Sequence, residues 1–122
     1  MEAFAHKHGF VLPPFCAFTP ADWAQKSHEY DEIRDNMLGW DVTDYGAGDF
    51  QKVGFSLVTL RNGNLAKQGE YPKPYAEKLL YLDEGQYSPM HFHWSKMEDI
   101  INRGGGNEIG RASCRERVYG LV

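Results

Sequence analysis

The segment from Gly85 to Gly105 limits the possible folds more than any other part of the chain. Five residues separate Gly85 from His91, one separates His91 from His93, four precede Glu98 and six more precede Gly105. On a strand, successive side chains point to opposite faces, so His91 and His93 would share one face. Met90, Phe92 and Trp94 would share the other, an apolar face suited to burial. Two imidazoles about 7 Å apart along a strand can converge on one ion between their tips. Glu98, beyond a short turn at Trp94–Met97, is placed to fold back and add an oxygen ligand. An isolated His-x-His pair is more often surface decoration, but here a carboxylate and a glycine frame accompany it. Imidazole with carboxylate suits a borderline divalent ion such as manganese, iron, nickel or zinc. The glycines permit tight connections where a Cβ would clash.

The chain has 122 residues, at most one small domain with a modest core. Its 42% hydrophobic and 14% aromatic content is that of a folded globule rather than a disordered tail. A formal charge of -4 and the lack of a basic run argue against nucleic-acid binding. No apolar run approaches membrane-spanning length, and the N-terminus has no signal-peptide core. Cys16 and Cys114 make no disulfide framework, so a cytoplasmic location is expected.

Along the chain, residues 1–18 are apolar and interrupted by Pro13-Pro14. His6 and His8 repeat the i, i+2 spacing without a nearby carboxylate and are read as solvated. Phe10, Val11, Leu12, Phe15 and Phe18 are expected to pack across a barrel face. Thr19 is a good helix N-cap, Pro20 fits the first helical position and Asp22 completes a capping arrangement. Trp23 and Ala24 would face inward. A second helix is predicted over residues 27–38, with Tyr30, Ile33 and Met37 on one face and Gly39 as its stop. Glu29, Asp31, Glu32 and Asp35 would form its solvated side. Strands begin at Trp40. A loop over 44–48 precedes a strand at 55–60, and Asn62-Gly63 then signals a tight turn. Residues 71–74 are stiffened by two prolines, 75–82 alternate as a further strand, and 83–86 turn the chain into the histidine segment.

The frame of Gly85, His91, His93, Glu98 and Gly105 resembles the first motif of the cupin superfamily, small β-barrels that hold a metal inside. Further stretches narrow the resemblance: Leu12–Phe15, Leu38–Thr43, Thr59–Gly63, Tyr75–Lys78, Met90–Trp94 and Glu98–Asn107. Together they resemble the bacterial D-lyxose isomerase family over roughly residues 10–107. This implies a mainly β fold, a partial jelly-roll-like cupin barrel with one or two N-terminal helices. His91, His93 and Glu98 would then be three of four metal ligands, with manganese the expected ion. The family's fourth ligand is a histidine on a later strand, and no histidine follows His93 here. The chain thus resembles only the family's N-terminal half.

Residues 108–122 leave the family pattern abruptly at Glu108 and show no strand alternation. Their back-translation resembles a short-read sequencing adapter, so 1–107 is read as part of a cupin domain and 108–122 as a non-native tail. Without that tail, which holds three Arg against two Glu, the formal charge is -5.

Aldose–ketose isomerisation moves a hydrogen between C1 and C2 of an open-chain sugar. A divalent ion can polarise the carbonyl and stabilise an enediolate, while a nearby carboxylate shuttles the proton. Glu98 could serve as ligand, base or both. Lys78, expected on a strand adjacent to the histidines, could stabilise a developing oxyanion or simply be solvated. Trp94 is expected in the core rather than stacked on a sugar. The resemblance implies a pentose substrate, D-lyxose converted to D-xylulose. A half-barrel would leave unpaired edges on the strands at 55–60 and 76–82, from which a homodimer is expected. Another metal cupin, a dioxygenase or an epimerase, is the alternative, as is a non-catalytic fragment that binds metal weakly.

Overall fold

The computed structural model describes residues 1–107 and the backbone of 116–119. They form two units, one of Met1 with Leu12–Pro89 and one of Glu2–Val11 with Met90–Val122. Expectations for residues 108–115 and 120–122, including Cys114, lie outside the described residues.

In the first unit, helix α2 spans Pro20–Trp23 and has the predicted capping box. Thr19 Oγ1 accepts from the Asp22 backbone N–H at 3.2 Å, and the Asp22 carboxylate accepts from the Thr19 N–H at 2.8 Å. Two orphan donors of the first turn are thereby satisfied. Trp23 packs edge-on against Phe18 and Tyr30, whereas Ala24 is exposed rather than inward.

The second predicted helix is shorter than 27–38. A 3₁₀ turn over His28–Tyr30 leads into α3, Asp31–Asp35. The Arg34 guanidinium donates to the carbonyls of Ser27 and Lys26 and to Asp31. The helix ends early because Met37, with φ 54°, turns the chain left-handed before Gly39 does. Met37 is accordingly exposed instead of sharing a face with Tyr30 and Ile33, and Gly39 opens a strand rather than closing the helix.

A three-stranded antiparallel sheet follows, ordered β1 (Gly39–Thr43), β2 (Phe55–Arg61) and β3 (Glu77–Tyr81). β2 is central: Val58 lies opposite Trp40 on one side and Leu79 on the other. Its consecutive residues Leu57, Val58 and Thr59 are all buried, and Val58 is 0% exposed. A β-branched, apolar run is what a strand covered on both faces requires. The edges of this open sheet therefore fall on β1 and β3, not on residues 55–60.

Asn62-Gly63 does not close a two-residue hairpin, because it is diverted into a bridge to α3. The Asn62 amide donates to the Asn36 carbonyl at 3.0 Å, and the Asn64 amide donates to Asn36 Oδ1 at 2.9 Å. Asn36 is 1% exposed, and a buried amide is tolerable only when its polar atoms are paired in this way. A 3₁₀ turn at Leu65–Lys67 then places Lys67 Nζ 2.6 Å and, beyond it, Tyr71 Oη 2.8 Å from the Asp35 carboxylate. Asp35 is thus an anchor, not part of a solvated acidic face.

The Lys67 hydrogen bond, then that of Tyr71, holds the Asp35 carboxyl below its ordinary pKa against the opposing effect of burial. A carboxyl whose folded pKa is depressed stabilises the fold fully above its unfolded value, about pH 4. That contribution fades as pH falls through the lowered folded value. Thermal midpoints measured against pH should fall on the acid side, and Asp35→Asn should flatten that limb.

In the second unit, Glu2–Lys7 forms helix α1, which the sequence reading leaves out. His6 is exposed as expected, but His8 is only half-exposed, its ring 4.4 Å from that of Phe4. Val11 is exposed rather than packed on a barrel face. β4 (Glu98–Ile101) pairs in parallel with β5 (Glu116–Tyr119), so a strand lies where no strand pattern was expected. Among the described residues no helix is long and apolar enough to cross a membrane.

Candidate metal centre

The histidine segment differs from its expected form. Residues 90–97 belong to no strand, since no described strand pairs with them. Alternation nevertheless holds locally: the His91 and His93 rings lie 5.0 Å apart, and those of Phe92 and Trp94 lie 4.8 Å apart. The apolar side is not core. Trp94 is 82% exposed, and Met90 and Phe92 are exposed with it.

Glu98 is the first residue of β4, so strand pairing fixes its backbone while its side chain reaches back across the 94–97 turn. Its Oε2 lies 3.1 Å from His93 Nε2. One ligand atom from each of His91, His93 and Glu98 falls within 4.8 Å of the other two. Ligands held at about 2.1 Å in tetrahedral array sit about 3.4 Å apart, so small side-chain rotations suffice to admit an ion. Two imidazoles and one carboxylate fit a borderline divalent ion.

The other Glu98 oxygen, Oε1, accepts from the Lys96 ammonium. Burial pushes the Glu98 carboxyl up, but Lys96, followed by His93, outweighs it and holds the pKa below its ordinary value. Glu98 is therefore ionised at neutral pH, the form a ligand requires. A proton shuttle tuned toward neutrality would need the opposite shift.

The glycine frame has two distinct explanations. Gly85 adopts φ 82° in the 83–86 turn with open space around it, so conformation alone favours glycine there. At Gly105, φ is 95° and an added Cβ would lie 2.3 Å from the Phe4 ring. Asn102 closes this loop, donating to the Gly106 carbonyl and accepting from the Gly104 N–H, each at 2.9 Å.

Lys78 is exposed on β3 opposite Thr59, in the first unit, whereas the other three candidates lie in the second. Its hydrogen-bonded neighbour strand is β2, not the histidine segment. Lys96 escaped the sequence reading, although its i, i+2 spacing from Glu98 was the available signal.

A small antiparallel sheet that does not close, with a few short helices, is consistent with part of a β-rich cupin-like fold. Residues 1–112 match the family model for D-lyxose isomerase, five residues past Asn107. The chain belongs to the D-lyxose isomerase family. It is 51% identical over 119 residues to the D-lyxose/D-mannose isomerase of Escherichia coli O157:H7, covering 94% of this chain and 52% of that protein. Identity to the D-lyxose/D-mannose isomerase of Serratia proteamaculans is 54% over 109 residues, covering 86% and 47%. The chain thus spans about half the length of these curated relatives.

Proposed function

We propose that this chain carries the metal-binding segment of a metal-dependent aldose–ketose isomerase that interconverts D-lyxose and D-xylulose, with manganese as its ion. The convergence of His91, His93 and Glu98 within 4.8 Å is the observation that carries the reading. The names of the two relatives support the substrate class and add D-mannose. D-Lyxose and D-mannose share their configuration at C2 and C3, so one site can treat both alike.

When bound, the ion supplies Lewis-acid polarisation of the sugar carbonyl. His91 and His93 would hold it through neutral ring nitrogens, and Glu98 through Oε2. The Glu98 carboxylate would also accept the C2 proton and return it at C1 while the O2 hydroxyl proton passes to O1, which completes the isomerisation; its lowered pKa makes it a weaker base than one tuned toward neutrality.

The test joins residues 1–107 to the C-terminal half of the Escherichia coli relative. This chimera should convert D-lyxose to D-xylulose with manganese, and lose the activity on chelation or with His93→Ala. The 122-residue chain alone should show no detectable conversion. A folded, metal-loaded chimera without isomerase activity would overturn the assignment.

A further inference from the structure

We propose that Lys96 is a positioning residue for the metal-ligating carboxylate, and that it favours small borderline ions over calcium by leaving Glu98 only the oxygen beside His93 to offer an ion. The proposal rests on the reading of His91, His93 and Glu98 as an ion-binding trio. Its basis is the division of the Glu98 carboxylate between two partners. Lys96 Nζ donates to Oε1, and His93 Nε2 lies 3.1 Å from Oε2. An ion entering beside the two imidazoles therefore meets Oε2 alone, already aimed at it.

Three features make the arrangement effective. The Lys96 side chain is 52% exposed, so its ammonium keeps part of its hydration while holding the carboxylate. Glu98 is the more enclosed partner at 33%, so its oxygens depend more on protein donors. Hydrogen bonds to ligating groups also fix their orientation, and losing one commonly costs ten- to a hundredfold in metal affinity, by typical orders of magnitude.

One-point attachment has consequences for ion choice. Calcium takes six to eight oxygens and often both from one carboxylate, by general coordination preference. Manganese, iron, nickel and zinc accept imidazole nitrogen with a single carboxylate oxygen. Removing Lys96 frees Oε1, so the carboxylate can rotate and chelate with both oxygens. Repulsion between the ammonium and a divalent ion acts on all such ions alike and cancels in an affinity ratio.

Calorimetric titration of the full chain with manganese and with calcium tests this, using Lys96→Met, Lys96→Arg and His93→Ala. Lys96→Met should lower manganese affinity about tenfold while calcium affinity holds or rises, so the ratio falls. Lys96→Arg, which still donates to Oε1, should keep the ratio within about threefold of the original. Lys96→Met with an unchanged ratio, or an equal loss for both ions, would overturn the proposal. If His93→Ala abolishes manganese binding in that same experiment, the ion-binding trio stands and only the role of Lys96 falls. If His93→Ala changes nothing, the trio itself is wrong and the proposal fails with it.

Discussion

Alanine at position 93 is expected to reduce manganese affinity about a hundredfold or more, and alanine at position 91 to do the same. Only three candidate ligand atoms meet in the described structure, so each substitution leaves two. Partners that merely orient ligands already contribute about ten- to a hundredfold, so a direct ligand contributes at least the upper end. His93 matters twice, because its ring also lies 3.1 Å from the Glu98 carboxylate and helps aim it. Its loss removes one nitrogen ligand and releases an oxygen ligand. Neither variant should unfold the chain, since the other unit carries the three-stranded sheet and its buried Leu57–Thr59 run. Calorimetry showing unchanged manganese affinity in both would rule out the site.

Gly54→Ala should cost about 3 kcal/mol or more of stability, near the upper end for a single substitution. Gly54 adopts φ 115°, a conformation that L side chains rarely adopt. An added Cβ would lie 1.8 Å from the Thr43 carbonyl oxygen and 2.9 Å from Asp44 Cα. Both are backbone atoms and cannot rotate away. The clash would separate the end of β1 from the start of β2, where Thr43 pairs with Phe55. It would also strain the hydrogen bond from Gly54 N–H to the Tyr87 carbonyl, 2.9 Å long, which ties in the segment leading to the histidines. Urea unfolding curves of the two chains measure the difference. A loss below about 1 kcal/mol would show that the turn accommodates a side chain.

Features set by near neighbours were legible in the sequence. The capping box at Thr19 and Asp22 involves residues three apart, and β2 announces itself through a run of β-branched and apolar residues. The convergence of His91, His93 and Glu98 was also legible, since it spans eight residues and one turn. Legibility failed where partners lie far along the chain. Asp35 looked like a solvated acid because Lys67 and Tyr71 follow 32 and 36 residues later. Asn62-Gly63 looked like a hairpin turn because Asn36, which captures it, precedes by 26. Residues 90–94 have the alternation of a strand, but a strand also needs a hydrogen-bonded neighbour, and none of the described strands supplies it. Helix α1 was missed because Glu2–Lys7 is too short to show a period, and short isolated helices depend on tertiary contacts. Only the folded chain shows that Lys96 and His93 divide the Glu98 carboxylate.

The most direct test of the account is pulsed electron paramagnetic resonance of manganese bound to the full chain, reading the nitrogen nuclei coupled to the ion. Two imidazole nitrogens should modulate the echo, falling to one in His91→Ala carrying enough manganese to occupy the site. Bound manganese with no coupled imidazole nitrogen would contradict the assignment of His91, His93 and Glu98 as its ligands.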